Sequence, residues 1–169
     1  MLSERELAFI AIHKDSYPAV FRFVGRRVES LEVAEEIAAD VFRVVWQKWS
    51  DNTRPELGYL LGIARNLVGN AYRSRERQSA LQEKLRTTAV QRFGPDSGNA
   101  MVQDAMDRLR GQDRDILQLA YWDGLGPAEI AGVLQCSESA AKVRLHRARK
   151  AFQKQLPAGS ASATEKLGV

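Results

Sequence analysis

The side chains with the clearest chemical potential lie near the C-terminus, where basic residues gather on one face of a predicted helix. Residues 126–137 have the pattern of a short helix, a tight turn and an N-terminal cap, and a second helix follows over residues 138–154. A basic second helix after such a turn is the usual reader of the DNA major groove. We therefore predict DNA contact, against the alternative of a merely basic surface helix, by Ser139, Lys142, Val143, Arg144, His146, Arg147 and Lys150.

A second polar row lies on a long helix predicted from Pro55 to about Arg77. Its far side carries Asn66, Asn70, Arg73 and Arg77 within about 60° of arc, opposite a stripe of leucine, alanine and valine. Amides and guanidiniums donate to phosphates and base edges at fixed geometry. Ordinary surface polarity explains the row equally well when the residues are considered alone.

The helix predicted from Ser30 to about Trp49, the third in chain order, has two distinct faces. Its apolar stripe is typical of a core. The opposite, mainly acidic face is interpreted as solvated surface or, alternatively, as a protein-docking face; it consists of Glu32, Glu36, Asp40, Arg43 and Gln47.

Catalytic and metal-binding groups are not predicted, and we expect no cofactor. One cysteine, Cys136, excludes an intramolecular disulfide, and with only two histidines a Cys/His zinc site is excluded as well. A metal-dependent nuclease needs clustered, inward-facing carboxylates, whereas the acidic face of the third helix points outward. The chain is therefore not expected to be an enzyme.

Charge is segregated along the 169 residues, whose net value is +4. Residues 1–50 carry −1, residues 51–86 carry +3, residues 87–135 carry −3 and residues 136–169 carry +5. Two basic segments separated by an acidic one favour two contacts with a polyanion. No apolar run approaches the roughly 20 residues of a membrane helix, and the N-terminus lacks a signal-peptide pattern, so we expect a cytoplasmic protein without membrane insertion.

The elements that must position these faces are all predicted to be helical. A capping box at Ser3 opens a first helix over residues 4–14, and Pro18 opens a second to about Glu29. The C-terminal helices break at Gly111 and at residues 124–126. We predict an all-α fold of two small domains, residues 1–78 and 99–156, with a flexible linker at 79–98 and a disordered tail at 157–169.

Four motifs, in order, resemble the extracytoplasmic-function (ECF, group 4) sigma factors of bacterial RNA polymerase. They are VAEEIAADVFRVVW at 33–46, LGIARNL at 61–67, AEIA at 128–131 and VRLHRAR at 143–149. The resemblance spans residues 7–156 and implies a transcription initiation factor that directs core polymerase to promoters. A stand-alone helix-turn-helix repressor or activator is the alternative, although it does not explain the row on the long helix.

The resemblance also implies roles for the faces already found. The third helix corresponds to region 2.2, which docks on the polymerase β′ clamp helices, here through Glu36, Asp40, Arg43 and Gln47. The long helix corresponds to regions 2.3 and 2.4, which open and hold the −10 element, here through Arg65, Asn66, Asn70, Arg73 and Arg77. The C-terminal unit corresponds to region 4, which reads the −35 element and meets the β flap, here through Ser139, Lys142, Val143, Arg144 and Arg147.

The implied partners are RNA polymerase core, promoter DNA and an anti-sigma factor that holds the protein inactive. Four residues depart from the family pattern. Ala39 replaces a glutamine of the docking face, and Gln135 stands at a turn position where glycine is common. Ala140 and Val143 replace hydroxyl residues of the recognition helix and leave an apolar surface suited to a thymine methyl group.

Overall fold

The computed structural model describes residues 1–50, 54–81 and 100–157, and over these ranges the secondary structure consists of seven α-helices. The chain divides into two compact units, Met1–Gln91 and Arg92–Val169. The all-helical fold is therefore confirmed. The helices are α1 Glu4–Gly25, α2 Leu31–Lys48, α3 Leu57–Leu81, α4 Ala100–Asp107, α5 Gly111–Tyr121, α6 Pro127–Leu134 and α7 Glu138–Gln155.

Part of the predicted organisation lies outside the described residues. This applies to residues 51–53 of the polar loop, residues 82–98 of the predicted linker and residues 158–169 of the predicted tail. Where the structure does describe the chain, α3 continues to Leu81, past the end predicted at Arg77. No described helix combines the length and apolar character needed to cross a membrane.

The prediction of separate helices over 4–14 and from Pro18 to Glu29 is wrong, because α1 is one helix with Pro18 inside it. Proline removes one helical hydrogen bond and costs about 3 kcal/mol. Burial on both sides of Pro18 offsets that cost: Ile12 before it and Val20 and Phe23 after it are in the core, and each such side chain contributes about 1.5–3 kcal/mol. The predicted capping box does form, with the Ser3 side chain accepting from the Glu6 amide and the Glu6 carboxylate accepting from the Ser3 amide.

In the first unit, α1, α2 and α3 pack pairwise around one apolar core. The predicted stripe of α2 is buried, with Ser30 capping the helix by accepting from the Val33 amide at 3.2 Å. The stripe of α3 is buried at Leu60, Leu61, Ala64 and Val68. This packing leaves the opposite faces of α2 and α3 at the surface.

In the second unit, α7 packs against α4, α5 and α6. The predicted helix break at Gly111 lies just before that residue: α4 ends at Asp107, and Gly111 is the first residue of α5. The predicted inner stripe of α7 is buried throughout, at Ala141, Leu145, Ala148 and Phe152.

Candidate nucleic-acid interface

The turn between α6 and α7 has the geometry of a helix-turn-helix. Pro127 occupies the first turn of α6, and Gln135 closes that helix in the left-handed region at φ 55° and ψ 50°. The Cys136 amide then donates to the Ala131 carbonyl at 3.0 Å. Ser137 caps α7 by accepting from the Ala140 amide at 3.1 Å. The left-handed residue thus turns the chain sharply, and α7 starts with its N-terminal end at the surface.

The outer face of α7 carries the predicted DNA contacts. Val143 lies at its centre and is 48% exposed. Lys142 pairs with Glu138 at 3.6 Å, and both side chains are more than half exposed. An ion pair of this kind is worth little and is easily exchanged for a phosphate. The predicted residues that α7 presents at the surface are Ser139, Lys142, Val143, Arg144 and Arg147.

The polar row of α3 is also at the surface. Asn66, Asn70, Arg73 and Arg77 are exposed, and Arg65 is half-buried beside them. Members of the row contact one another: Arg73 Nη2 donates to Asn70 Oδ1, and Arg77 Nε donates to the Arg73 carbonyl at 3.4 Å. These contacts hold the guanidiniums along the helix surface before any ligand binds.

Tyr59 extends this row toward the N-terminus of α3 and was missed in the sequence analysis. It lies seven residues before Asn66, so helical periodicity places it roughly on the same face, and its side chain is 46% exposed. An exposed aromatic ring beside amides and guanidiniums is a stacking surface for a nucleic-acid base. Its position seven residues before Asn66 was the available signal.

The acidic face of α2 lies opposite its buried stripe. Glu36, Arg43 and Gln47 are exposed and Asp40 is half-buried. Arg43 Nη1 forms an ion pair with Asp40 Oδ1 one turn away. Beside this face, α1 and α2 enclose an open groove of about 520 Å³ lined by Leu2, Glu6, Phe9, Ile10, His13, Ala39, Phe42, Arg43 and Trp46. The departure Ala39 therefore lies on the wall of this groove.

Comparison with known proteins assigns both units. Residues 12–78 match the Sigma-70 region 2 family and residues 99–152 match the Sigma-70 region 4 family, together well over half of the chain. The ECF RNA polymerase sigma factor SigL of Mycobacterium tuberculosis is 25% identical over 151 residues, which cover 85% of each chain. The ECF RNA polymerase sigma factor BldN of Streptomyces coelicolor is 29% identical over 160 residues, covering 89% of this chain and 61% of that protein. The chain is an ECF sigma factor.

Two solved structures share the fold of this sigma factor. RpoE of Bartonella quintana, in complex with the anti-sigma factor NepR, aligns with a TM-score of 0.57 and 21% identity over 87% of this chain and 95% of that one. CnrH, in complex with the cytosolic domain of CnrY, aligns with a TM-score of 0.56 and 21% identity over 86% and 85% of the two chains.

The ECF sigma factor directs RNA polymerase to promoters through regions 2 and 4, and it is a non-enzymatic initiation factor. Members of this family bind the RNA polymerase core. The assignment replaces the alternative of a stand-alone repressor or activator, because region 2 accounts for the first unit.

Two arginines that hold the sigma factor's helices in place were not found from sequence. Arg5 Nη2 donates to the Trp46 carbonyl at 2.7 Å, and its guanidinium lies 4.2 Å from the Trp46 ring centre. Arg114 donates to the carbonyls of Met106, Asp107 and Leu109 at 3.0–3.1 Å and so closes the C-terminal end of α4. Neither contact has a local pattern, because both join separate helices.

Two titrating groups have displaced pKa values. The amide and hydroxyl of Ser3, by hydrogen bonding, lower the pKa of the exposed Glu6 carboxyl below its usual 4.5. Burial, reinforced by the negative charge of Glu29, raises the pKa of the Tyr72 phenol above its usual 10. Within residues 1–50, 54–81 and 100–157, no three His, Cys, Asp or Glu side chains come together as a metal site.

Proposed function

We propose that α7 reads the −35 element of the promoter. The exposed row on α7 supports this. Its charged and polar side chains lie on the helix that comes directly after the turn of a helix-turn-helix, on the face opposite the buried stripe. Arg144 and Arg147 supply contacts to guanine edges or phosphates, and Val143 supplies an apolar contact beside them. Surface near this helix meets the β flap of the polymerase.

We further propose that the row on α3 recognises and opens the −10 element. Asn66, Asn70 and Arg73 donate to bases exposed on the non-template strand, and Arg65 and Arg77 flank them. Holding an unstacked base requires a stacking surface as well as cations. The exposed ring of Tyr59 provides such a surface at one end of the row.

The docking face on α2 is proposed to bind the β′ clamp helices of the polymerase core through Glu36, Asp40, Arg43 and Gln47. Its exposure and its excess of carboxylates support this role, because an acidic helix face complements a basic protein surface and repels DNA. We also propose that an anti-sigma factor restrains this protein in the cytoplasm by covering the same face, since RpoE was solved with such a partner.

Run-off transcription on fragmented genomic DNA tests the proposal as a whole. Bacterial core polymerase stripped of sigma is incubated with and without this protein, and transcript starts are mapped. We expect discrete starts that share two spaced elements and occur only when the protein is added. If the protein forms a complex with core but transcription starts at random positions, the proposed recognition of the two elements is contradicted.

A further inference from the structure

Two arginines separated by a single residue on α7 have opposite surroundings. Arg147 is exposed on the outer face, whereas Arg149 is half-buried. Arg149 Nε donates to the Tyr121 hydroxyl at 2.6 Å, and its guanidinium carbon lies 5.6 Å from the centre of the Tyr121 ring. Although both belong to the basic motif of the recognition helix, Arg149 is directed toward α5.

The partner of Arg149 stands at a well-anchored point of the second unit. Tyr121 is the last residue of α5, whose preceding turn is buried at Ile116, Leu117 and Leu119. The chain beyond it is closed by three backbone bonds: the amides of residues 122 and 123 donate to the Gln118 carbonyl at 2.9 and 3.0 Å, and that of Leu125 donates to the Leu119 carbonyl at 3.0 Å. The left-handed φ of +68° at Gly124 permits this closure.

Burial of an apolar stripe decides which face of a helix points inward, but it fixes the exact rotation less sharply, because the hydrophobic effect is not directional. The inner stripe of α7 consists of two alanines, a leucine and a phenylalanine. A short hydrogen bond from a guanidinium depends strongly on direction. The bond between Arg149 and Tyr121 therefore supplies a directional constraint between α7 and α5.

We propose that Arg149 is a positioning residue that acts through Tyr121 to set the rotation of α7 about its axis. Rotation decides where Ser139 and Val143 meet the bases and where Arg147 meets a phosphate, so the contact determines specificity for the −35 element without touching DNA. This inference rests on the proposed reading of that element by α7.

The test measures how polymerase holoenzyme containing this protein binds two duplex promoters at several salt concentrations. One promoter carries the −35 element mapped by run-off transcription, and the other carries a scrambled element. The variants are Tyr121→Phe, Arg149→Gln and the double variant, each measured at a temperature where circular dichroism shows it folded. Tyr121→Phe is the decisive variant, because it removes the hydroxyl and changes neither charge nor ring.

We expect each single variant to lower affinity for the intact element roughly fivefold, as loss of one charge-assisted hydrogen bond would. Affinity for the scrambled promoter and the slope of log affinity against log salt should remain unchanged. The double variant should bind as Arg149→Gln does, because both changes remove the same contact. An equal loss of affinity for both promoters would indicate a merely structural role and overturn the proposal.

Arg147→Gln is the matched control, since it removes the same charge from the outer face. It should lower affinity for both promoters and reduce the salt slope by about one. If Arg149→Gln does the same while Tyr121→Phe is silent, Arg149 contacts phosphate and the positioning role is overturned. If Arg147→Gln lowers affinity while Tyr121→Phe and Arg149→Gln are silent, positioning fails and the −35 proposal stands; if all three are silent, the −35 proposal itself fails.

Discussion

The hydroxyl of Tyr72 on α3 donates a hydrogen bond to the backbone carbonyl of Arg27, just beyond the end of α1 and 45 residues away in sequence. Arg27 is itself held in place, because its guanidinium donates to the Phe23 carbonyl at 2.9 Å and lies 3.6 Å from the centre of the Phe23 ring. Nearby, Arg75 pairs with Glu29 at 2.9 Å. These contacts fix the chain after α1 against the helix that carries the proposed −10 contacts.

The buried Tyr72 phenol makes the free energy of unfolding fall with increasing pH in the alkaline range. Burial raises the pKa of Tyr72 in the folded state, so folding favours the neutral phenol. The stability that the neutral phenol contributes is complete below pH 10 and is lost as the pH rises through the pKa of the folded state. Tyr72→Phe should cost about 1 kcal/mol at neutral pH, since the donor to Arg27 is lost, and should weaken the fall in stability above pH 10. Urea unfolding at neutral and alkaline pH measures both effects. Tyr59→Phe, which removes an exposed hydroxyl, is the control; an equal loss there would contradict the assignment.

Removing two charges from the outer face of α7 should change promoter choice. The double variant Lys142→Ala, Arg147→Ala should lose the starts that depend on the −35 element, and the salt slope of promoter binding should fall by about two because two phosphate-binding cations are absent. Run-off transcription and binding at several salt concentrations measure these effects. Lys154→Ala, at an exposed position in the last turn of α7, is the control for charge. Full promoter activity in the double variant would refute the recognition role of α7.

Reversing the charge of Asp40 should weaken binding to core polymerase. Asp40→Arg removes the ion pair with Arg43 and places like charges on the docking face, so we expect affinity for core to fall by about tenfold or more. Competition binding against a labelled sigma factor measures the change. Glu35→Arg makes the same charge change at an exposed α2 position outside that face, and Asp40→Asn removes the pair alone. Equal weakening by Glu35→Arg would show that net charge, not this face, is responsible.

Loss of the Tyr59 ring should slow promoter opening and spare initial binding. Stacking of one base on an aromatic ring is worth about 1–3 kcal/mol, so Tyr59→Ala should slow formation of the open complex at least roughly fivefold. A 2-aminopurine base in the −10 element follows the opening. Tyr59→Phe keeps the ring and should open normally, and a template mismatched across the −10 element should restore the rate. A normal rate with Tyr59→Ala would exclude this residue from opening.

The two residues with left-handed backbone in the second unit, Gln135 and Gly124, predict stability changes of opposite sign on substitution. Gln135 has φ 55°, a conformation that disfavours a side chain, so Gln135→Gly should stabilise the second unit by roughly 0.5–1 kcal/mol. At Gly124, φ is +68° and a methyl group would meet no neighbouring atom, so Gly124→Ala isolates backbone strain and should cost about 1 kcal/mol. Thermal unfolding measures both; destabilisation by Gln135→Gly would show that the glutamine side chain makes a compensating contact.

The sequence alone determined the helical class, the buried stripes of α2, α3 and α7, and the caps at Ser3, Ser30 and Ser137. These features are local, since a helix repeats its faces every three to four residues and a cap bonds within one turn. The family motifs lie on the same local patterns, and they were sufficient to predict the function.

Only the tertiary structure decided which arginines have partners on a separate helix and where a helix continues. Pro18 stays inside α1 because burial on both sides of it outweighs the lost hydrogen bond. Arg5, which is exposed, and Arg149, which is half-buried, have the same side-chain chemistry as the arginines of the proposed DNA contacts, but their partners are 41 and 28 residues distant. Such contacts arise from the packing of separate helices, so no periodicity along the chain predicts them.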